Sequence, residues 1–259
     1  MSDKNIYWQS SENMSAVADG SIQTTVTSPP YFDLKDYGHD EEIGSSDESY
    51  EAFLERLRGV WEEVYDKLSD DGTLWVVSDS TMSDEGAIRL LPQDIVDDAI
   101  DVGFSHLETI VWYKPTSLAR MNPKLLANKK EYIMLLSKGD APKIDPEALV
   151  EAGEEDPAVN GRSQLGDLWR FPVKRGSLGG NVLHKAPFPL PLVKRMIRIS
   201  SDPGDAVLDP FLGSGTTAEA ALELNRGICG YEINEEFKSI VSQRIQGLEG
   251  AHQQKLDGT

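Results

Sequence analysis

Apolar residues at Tyr50, Phe53, Leu54, Leu57, Val60, Trp61, Val64, Tyr65 and Leu68 keep helical spacing, so the pattern predicts a helix over 49–68 whose aromatics face a core. Asp70-Asp71-Gly72 marks its expected end. Apolar, often β-branched runs predict strands at 22–27, 73–78, 107–113, 131–137, 206–208 and 227–231. Helical patterns fall between them near 92–101, over 190–200, after Gly215 and after Asn234. Strands alternating with helices imply an α/β fold, with a mostly parallel twisted sheet and helices on both faces. Such sheets bind ligands at the carboxyl ends of their strands, near the point where strand order reverses.

Two segments leave expected strand ends, and each has the character of half a site. Ser28-Pro29-Pro30-Tyr31 follows the first strand; its prolines fix the backbone and remove two amide donors, leaving carbonyls as acceptors beside an aromatic ring. Asp209-Pro210-Phe211-Leu212-Gly213-Ser214-Gly215-Thr216-Thr217 joins a strand to a helix, placing a glycine turn and free helix amides beneath a nucleotide-like ligand. Glu232 ends the run 227–231, where a carboxylate suits ribose hydroxyls as in dinucleotide folds. Taken alone, either segment reads equally as an ordinary stiff or glycine turn.

In this order the segments resemble those of the beta class of S-adenosylmethionine-dependent DNA amino-methyltransferases. Further stretches are similar: Leu68–Val76, Glu131–Gly139, and the turn His184-Lys185-Ala186-Pro187-Phe188-Pro189. The resemblance spans about Ile22 to Ile245 and implies one domain over 1–259 with a circularly permuted, Rossmann-like class I methyltransferase fold. It implies S-adenosylmethionine as cofactor, held by Asp209, Phe211, Gly213, Ser214, Gly215, Thr216, Glu232, His184 and Phe188, and a catalytic segment formed by Ser28, Pro29, Pro30 and Tyr31. A serine at position 28, where adenine-specific relatives more often carry Asp or Asn, favours N4 of cytosine. The chain departs from the family at Gln9 to Glu12, where the early acid that contacts the cofactor's adenine is missing from its expected place.

Charge complicates a DNA substrate. The 259-residue chain carries a net charge of -19, which should repel phosphate. The excess is uneven, however: 33–101 holds 21 acids against 5 bases, whereas 114–143 and 162–198 hold 7 and 8 bases against 2 and 1 acids. A target-recognition insertion is therefore expected within about 114–183, with Arg120, Lys124, Lys129, Lys130, Arg162, Arg170, Lys174 and Arg175 as the DNA-binding candidates.

The single Cys229 excludes an internal disulfide or a multi-cysteine metal site and reads as a packed small residue; no metal is expected. No window reaches 18 apolar residues and no basic-then-apolar leader begins the chain, giving the expectation of a cytoplasmic protein without membrane contact. Duplex DNA is the expected partner, and a cognate restriction endonuclease would be a genetic rather than physical one. Adenine N6 is the alternative target; an RNA or small-molecule methyltransferase and a non-catalytic DNA-binding module are the remaining readings.

Overall fold

The computed structural model describes residues 3–32, 42–45, 48–82, 86–116, 126–151, 166–173 and 188–257. Ten strands are present among them: β1 (Lys4–Tyr7), β2 (Ile22–Thr27), β3 (Leu68–Ser78), β4 (Thr81–Met82), β5 (Ile88–Arg89), β6 (Ser105–Tyr113), β7 (Lys130–Ser137), β8 (Leu168–Arg170), β9 (Ala206–Asp209) and β10 (Gly227–Tyr231). The helices are α1 (Tyr50–Lys67), α2 (Leu91–Val102), α3 (Glu147–Glu151), α4 (Leu190–Ser200), α5 (Thr216–Glu223) and α6 (Lys238–Asp257), the last preceded by one 3-10 turn at Glu235–Phe237.

Eight strands form one sheet in the order β1-β10-β9-β2-β3-β7-β6-β8; β4 and β5 pair as a separate hairpin. Every pairing in the large sheet is parallel except the two made by β7. The mostly parallel sheet expected from the alternation of elements is thus present. From β9 the chain continues to β10 on one side, and from β2 to β3 on the other. The reversal in strand order falls between β2 and β9, which pair through Thr24 with Val207 and Thr25 with Leu208.

Alternate residues of each strand face two apolar layers. On one face α1 and α2 bury Phe53, Leu57, Val60, Trp61, Val64, Leu91 and Ile95 against Leu74, Val76, Met134, Leu208 and Tyr231. On the other, α4, α5 and α6 bury Leu192, Met196, Ala218, Ala221 and Val241 against Val26, Trp75, Ile133, Val207 and Ile228. Both faces are covered, which explains why several strands read as unbroken apolar runs. Ser49 starts α1 by accepting the Ala52 amide at 3.2 Å.

The end of α1 differs from the sequence expectation. The helix stops at Lys67, and Leu68 already pairs with Ile22, while Thr73 pairs with Thr24. Ser69–Gly72 therefore form a bulge inside β3 instead of a separate turn. The Lys67 ammonium, almost buried, is held by Asp19 at 2.6 Å, which fixes this corner. β1 and β8, both short edge strands, were not anticipated by the sequence pattern.

Candidate active site

β2 and β9 end side by side at the strand-order reversal, and the two distinctive segments leave from there. Thr27, the last residue of β2, donates its hydroxyl to the Asp209 carboxylate at 2.8 Å; both are buried and 182 residues apart in sequence. The same Asp209 oxygen accepts the Phe211 amide at 3.0 Å. One carboxylate thereby fixes the exit of the Ser28–Tyr31 segment and the entry of the glycine loop. Complete burial raises the Asp209 pKa to about 6 from 3.8, against the opposing effect of its hydrogen bonds from Thr27 and Phe211.

The glycine loop is tied to β10. Leu212 donates its amide to Tyr231 at 2.9 Å, and Gly213 donates to the Glu232 carboxylate at 2.7 Å. The other Glu232 oxygen accepts the Asn234 amide at 2.8 Å. Burial pushes the Glu232 pKa up, opposed by the Asn234 and Gly213 amides. Gly213 and Gly215 adopt φ of +51° and +81°, left-handed values that side chains resist. Gly215 caps α5, whose first residue Thr216 is buried. The Ser214 hydroxyl is buried and has no hydrogen-bond partner among the described residues. An unpaired buried hydroxyl, a turn without side-chain bulk and two carboxylates at adjacent strand ends fit a ligand that combines ribose hydroxyls with a cationic amine.

Pro29 is buried, and Ser28, Pro30 and Tyr31 are half-buried. Tyr31 packs on the α1-side layer and donates its hydroxyl to Glu131 at 3.3 Å. Phe211, half-buried, meets Trp61 edge-on at 6.4 Å, so part of its ring belongs to the core. Phe188 lies just before α4 and packs against the other layer. Glu12, at the end of the stretch that lacks the expected early acid, is paired with Arg56 at 2.7 Å.

Among the DNA-binding candidates, Lys129 and Arg170 are exposed at the same edge of the sheet. Lys130 is paired with Asp79 at 2.8 Å and lies over the Tyr132 ring, while Asn128 also binds Asp79. Arg170 ends β8, four strands from β2, roughly 19 Å away at the usual strand spacing. His184, Arg120, Lys124, Arg162, Lys174 and Arg175 lie outside the described residues. Much of the local basic excess is compensated internally: Lys114 pairs with Glu131, Lys143 with Asp202 and Asp205, and Lys194 with Glu223.

Sequence reasoning assigns no site role of its own to Thr27, which begins the proline segment, and none to Glu131 or Lys114. Thr27 carried a weak signal as a hydroxyl next to the proline segment. Glu131 carried another, as one of two acids in a basic segment and the first position of an apolar strand. Cys229 is buried with its thiol pushed up to about 12, consistent with a packed residue. A cavity of about 220 Å³ opens elsewhere, beneath 16–22 and lined by Asp3, Asn5, Ala206 and Gly227 at the amino ends of their strands. The proline segment, the glycine loop and the carboxylates Asp209 and Glu232 lie at the opposite, carboxyl edge. No described helix is long and apolar enough to cross a membrane.

Comparison with known proteins identifies the family. The profile of a DNA methylase family, the N6/N4 methyltransferases, matches residues 22–243. The Type II methyltransferase M.Cfr9I of Citrobacter freundii is 32% identical over 256 residues, covering 88% of this chain and 82% of the relative. M.SmaI of Serratia marcescens is 32% identical over 248 residues, covering 85% and 82%. Among solved structures, a DNA modification methylase of Thermus thermophilus, described as putative and complexed with S-adenosyl-L-methionine, superposes with a TM-score of 0.68 at 27% identity, covering 95% of this chain and 94% of the other. The cytosine-N4-specific PvuII DNA methyltransferase shares the fold, with a TM-score of 0.77 at 21% identity over 100% and 94% of the two chains. With the matched profile spanning nearly all of the sheet and both segments of the site, the chain belongs to the N6/N4 family of S-adenosylmethionine-dependent DNA methyltransferases.

Proposed function

We propose that this protein is a beta-class, site-specific enzyme that methylates N4 of cytosine in duplex DNA, and that Ser28–Tyr31 and Asp209–Thr216 form its single active site. The observation that carries this reading is the buried Thr27–Asp209 hydrogen bond, which joins the two segments at the strand-order reversal. Bound S-adenosylmethionine supplies an electrophilic methyl group on a sulfonium sulfur. Asp209 and the loop from Phe211 to Thr216 would hold its amine and backbone-facing parts, and Glu232 its ribose. His184 and Phe188 are assigned to the same ligand on the family resemblance, although Phe188 packs against the α4-side layer.

An amino group inside a duplex is out of reach, so the target base must leave the stack at a cost of a few kcal/mol. Tyr31 stacks on the extruded base, a contact worth roughly 1 to 3 kcal/mol. The Pro29 carbonyl and Ser28 hydroxyl accept hydrogen bonds from the exocyclic amine and orient its lone pair. Most of the rate then comes from alignment of two bound reactants, which contributes on the order of 7 to 11 kcal/mol. Ser28 is what favours cytosine over adenine. A recognition insertion within 114–183 presents Lys129, Arg170 and the remaining basic candidates to DNA, in keeping with a role in a restriction-modification system.

Product identity tests the assignment. Unmodified genomic DNA incubated with protein and S-adenosylmethionine, then digested to nucleosides, should yield N4-methylcytosine by mass spectrometry. N6-methyladenine in its place would assign the adenine alternative, and no methylated nucleoside would refute the DNA-modifying role.

A further inference from the structure

At the carboxyl edge of the sheet, β6 and β7 bring an ion pair beneath the tyrosine of the catalytic segment. Glu131 stands opposite Trp112 in the β6–β7 ladder, and Lys114 extends that ladder by donating its amide to Lys129 at 2.7 Å. Their side chains meet at 2.7 Å between Nζ of Lys114 and Oε1 of Glu131, with 11% and 15% of the side chains exposed. The other carboxylate oxygen accepts the Tyr31 hydroxyl at 3.3 Å. Burial raises the Glu131 pKa, with Lys114 opposing.

A carboxylate so placed costs desolvation, which the Lys114 ammonium and the Tyr31 hydroxyl oppose. Glu131 is the acidic position of β7, in a strand whose positions Ile133–Leu136 are apolar and bury into the two layers. We propose that Glu131, anchored by Lys114, is a positioning residue: it accepts the Tyr31 hydroxyl and so fixes the plane in which that ring meets the target base. A tyrosine ring turns about two side-chain torsions, and a hydrogen bond at its tip restrains both. Pre-ordering the ring before the base arrives removes an entropic cost from the stacking step. Glu131 lies within β7, and Lys114, one residue past the end of β6, is tied to Lys129 through its own amide, so the backbone of both partners is held. This role rests on the assignment of Tyr31 in the proposed function.

The test is a double-mutant cycle. Transfer of tritiated methyl groups to unmodified genomic DNA is measured under single-turnover conditions for wild type, Tyr31→Phe, Glu131→Ala and the double variant, alongside the KM for S-adenosylmethionine. Each single variant should lose about fivefold to tenfold in rate with the cofactor KM within twofold, and the double variant should be no slower than the worse single. Losses that multiply in the double variant, or an unaltered rate in Glu131→Ala, overturn the proposal. Should Glu131→Ala fail to fold by thermal melting, the cycle is run with Glu131→Gln, whose amide oxygen still accepts the phenol; a twofold to threefold loss that vanishes beside Tyr31→Phe supports the role, and its persistence there overturns it. Tyr31→Ala separates the two levels. If it transfers normally, the assignment of Tyr31 falls together with this one; if it is inactive while Glu131→Ala is not, only the positioning role falls.

Discussion

Asp209 is the residue on which the two halves of the site converge, and its titration gives the first prediction. Its folded pKa of about 6 lies above 3.8, so the folded protein binds the proton more tightly than the unfolded chain. Stability from this group is greatest below pH 3.8 and declines as the pH rises through 3.8 to 6, by on the order of 2 to 3 kcal/mol. A bound cation reverses that preference. If Asp209 faces the cofactor's amine, affinity measured by calorimetry should fall as the pH drops below about 6, by up to tenfold per unit. Asp209→Asn should bind weakly at every pH and melt higher than wild type at pH 7 without cofactor. A flat pH profile in the wild type would remove the amine contact. Thr27→Val tests the junction itself. It leaves a buried carboxylate short of one donor, so the melting temperature should drop and cofactor affinity should weaken severalfold.

At the scale of elements, the strongest sequence signals were those with a repeated physical cause. The stripe from Tyr50 to Tyr65 was legible because eight apolar positions share one face of α1, and β2, β7, β9 and β10 because both faces of the sheet are covered. The order of Ser28–Tyr31 before Asp209–Thr217 was legible because each segment follows such a strand. The bulge at Ser69–Gly72 was not, since Asp-Asp-Gly favours a turn by itself and only pairing with β2 draws it into the sheet. β1 and β8 are short edge strands whose pairing depends on a neighbour remote in sequence: Tyr7 meets Tyr231, and Trp112 meets Trp169. Lys114 and Glu131 were hidden for the same reason, as 17 residues separate them. The glycine loop carries the prediction at this scale. Gly213→Val forces a side chain into φ of +51°, and Glu232→Ala removes the acceptor of the Gly213 amide. Both should weaken cofactor binding at least tenfold by calorimetry; unchanged affinity in both would contradict the loop's assignment.

Across the whole molecule, a net charge of -19 must be reconciled with a polyanionic substrate. Segregation of charge along the chain is only part of the answer, because Lys114, Lys130, Lys143 and Lys194 are already paired with acids. Lys129 and Arg170 are exposed at the carboxyl edge of the sheet, where the proposed site lies. Lys129→Ala should therefore reduce the salt slope of DNA binding by about one unit. Lys130→Ala should reduce it less, since the Lys130 charge is already matched by Asp79 and is less available to a phosphate. In titrations at several salt concentrations, equal losses would mean that the paired lysine meets phosphate as readily as the exposed one, and no loss in either would mean that neither meets phosphate. The central claim is that two segments joined by a hydrogen bond between residues 182 apart in sequence divide one reaction between them, Ser28–Tyr31 holding the base and Asp209–Thr216 with Glu232 holding the cofactor. Its most direct test is Tyr31→Ala, with methyl transfer to DNA and cofactor affinity measured on the same preparation. Transfer should fall at least tenfold while the cofactor Kd stays within twofold; equal loss of both, or loss of neither, would contradict the account.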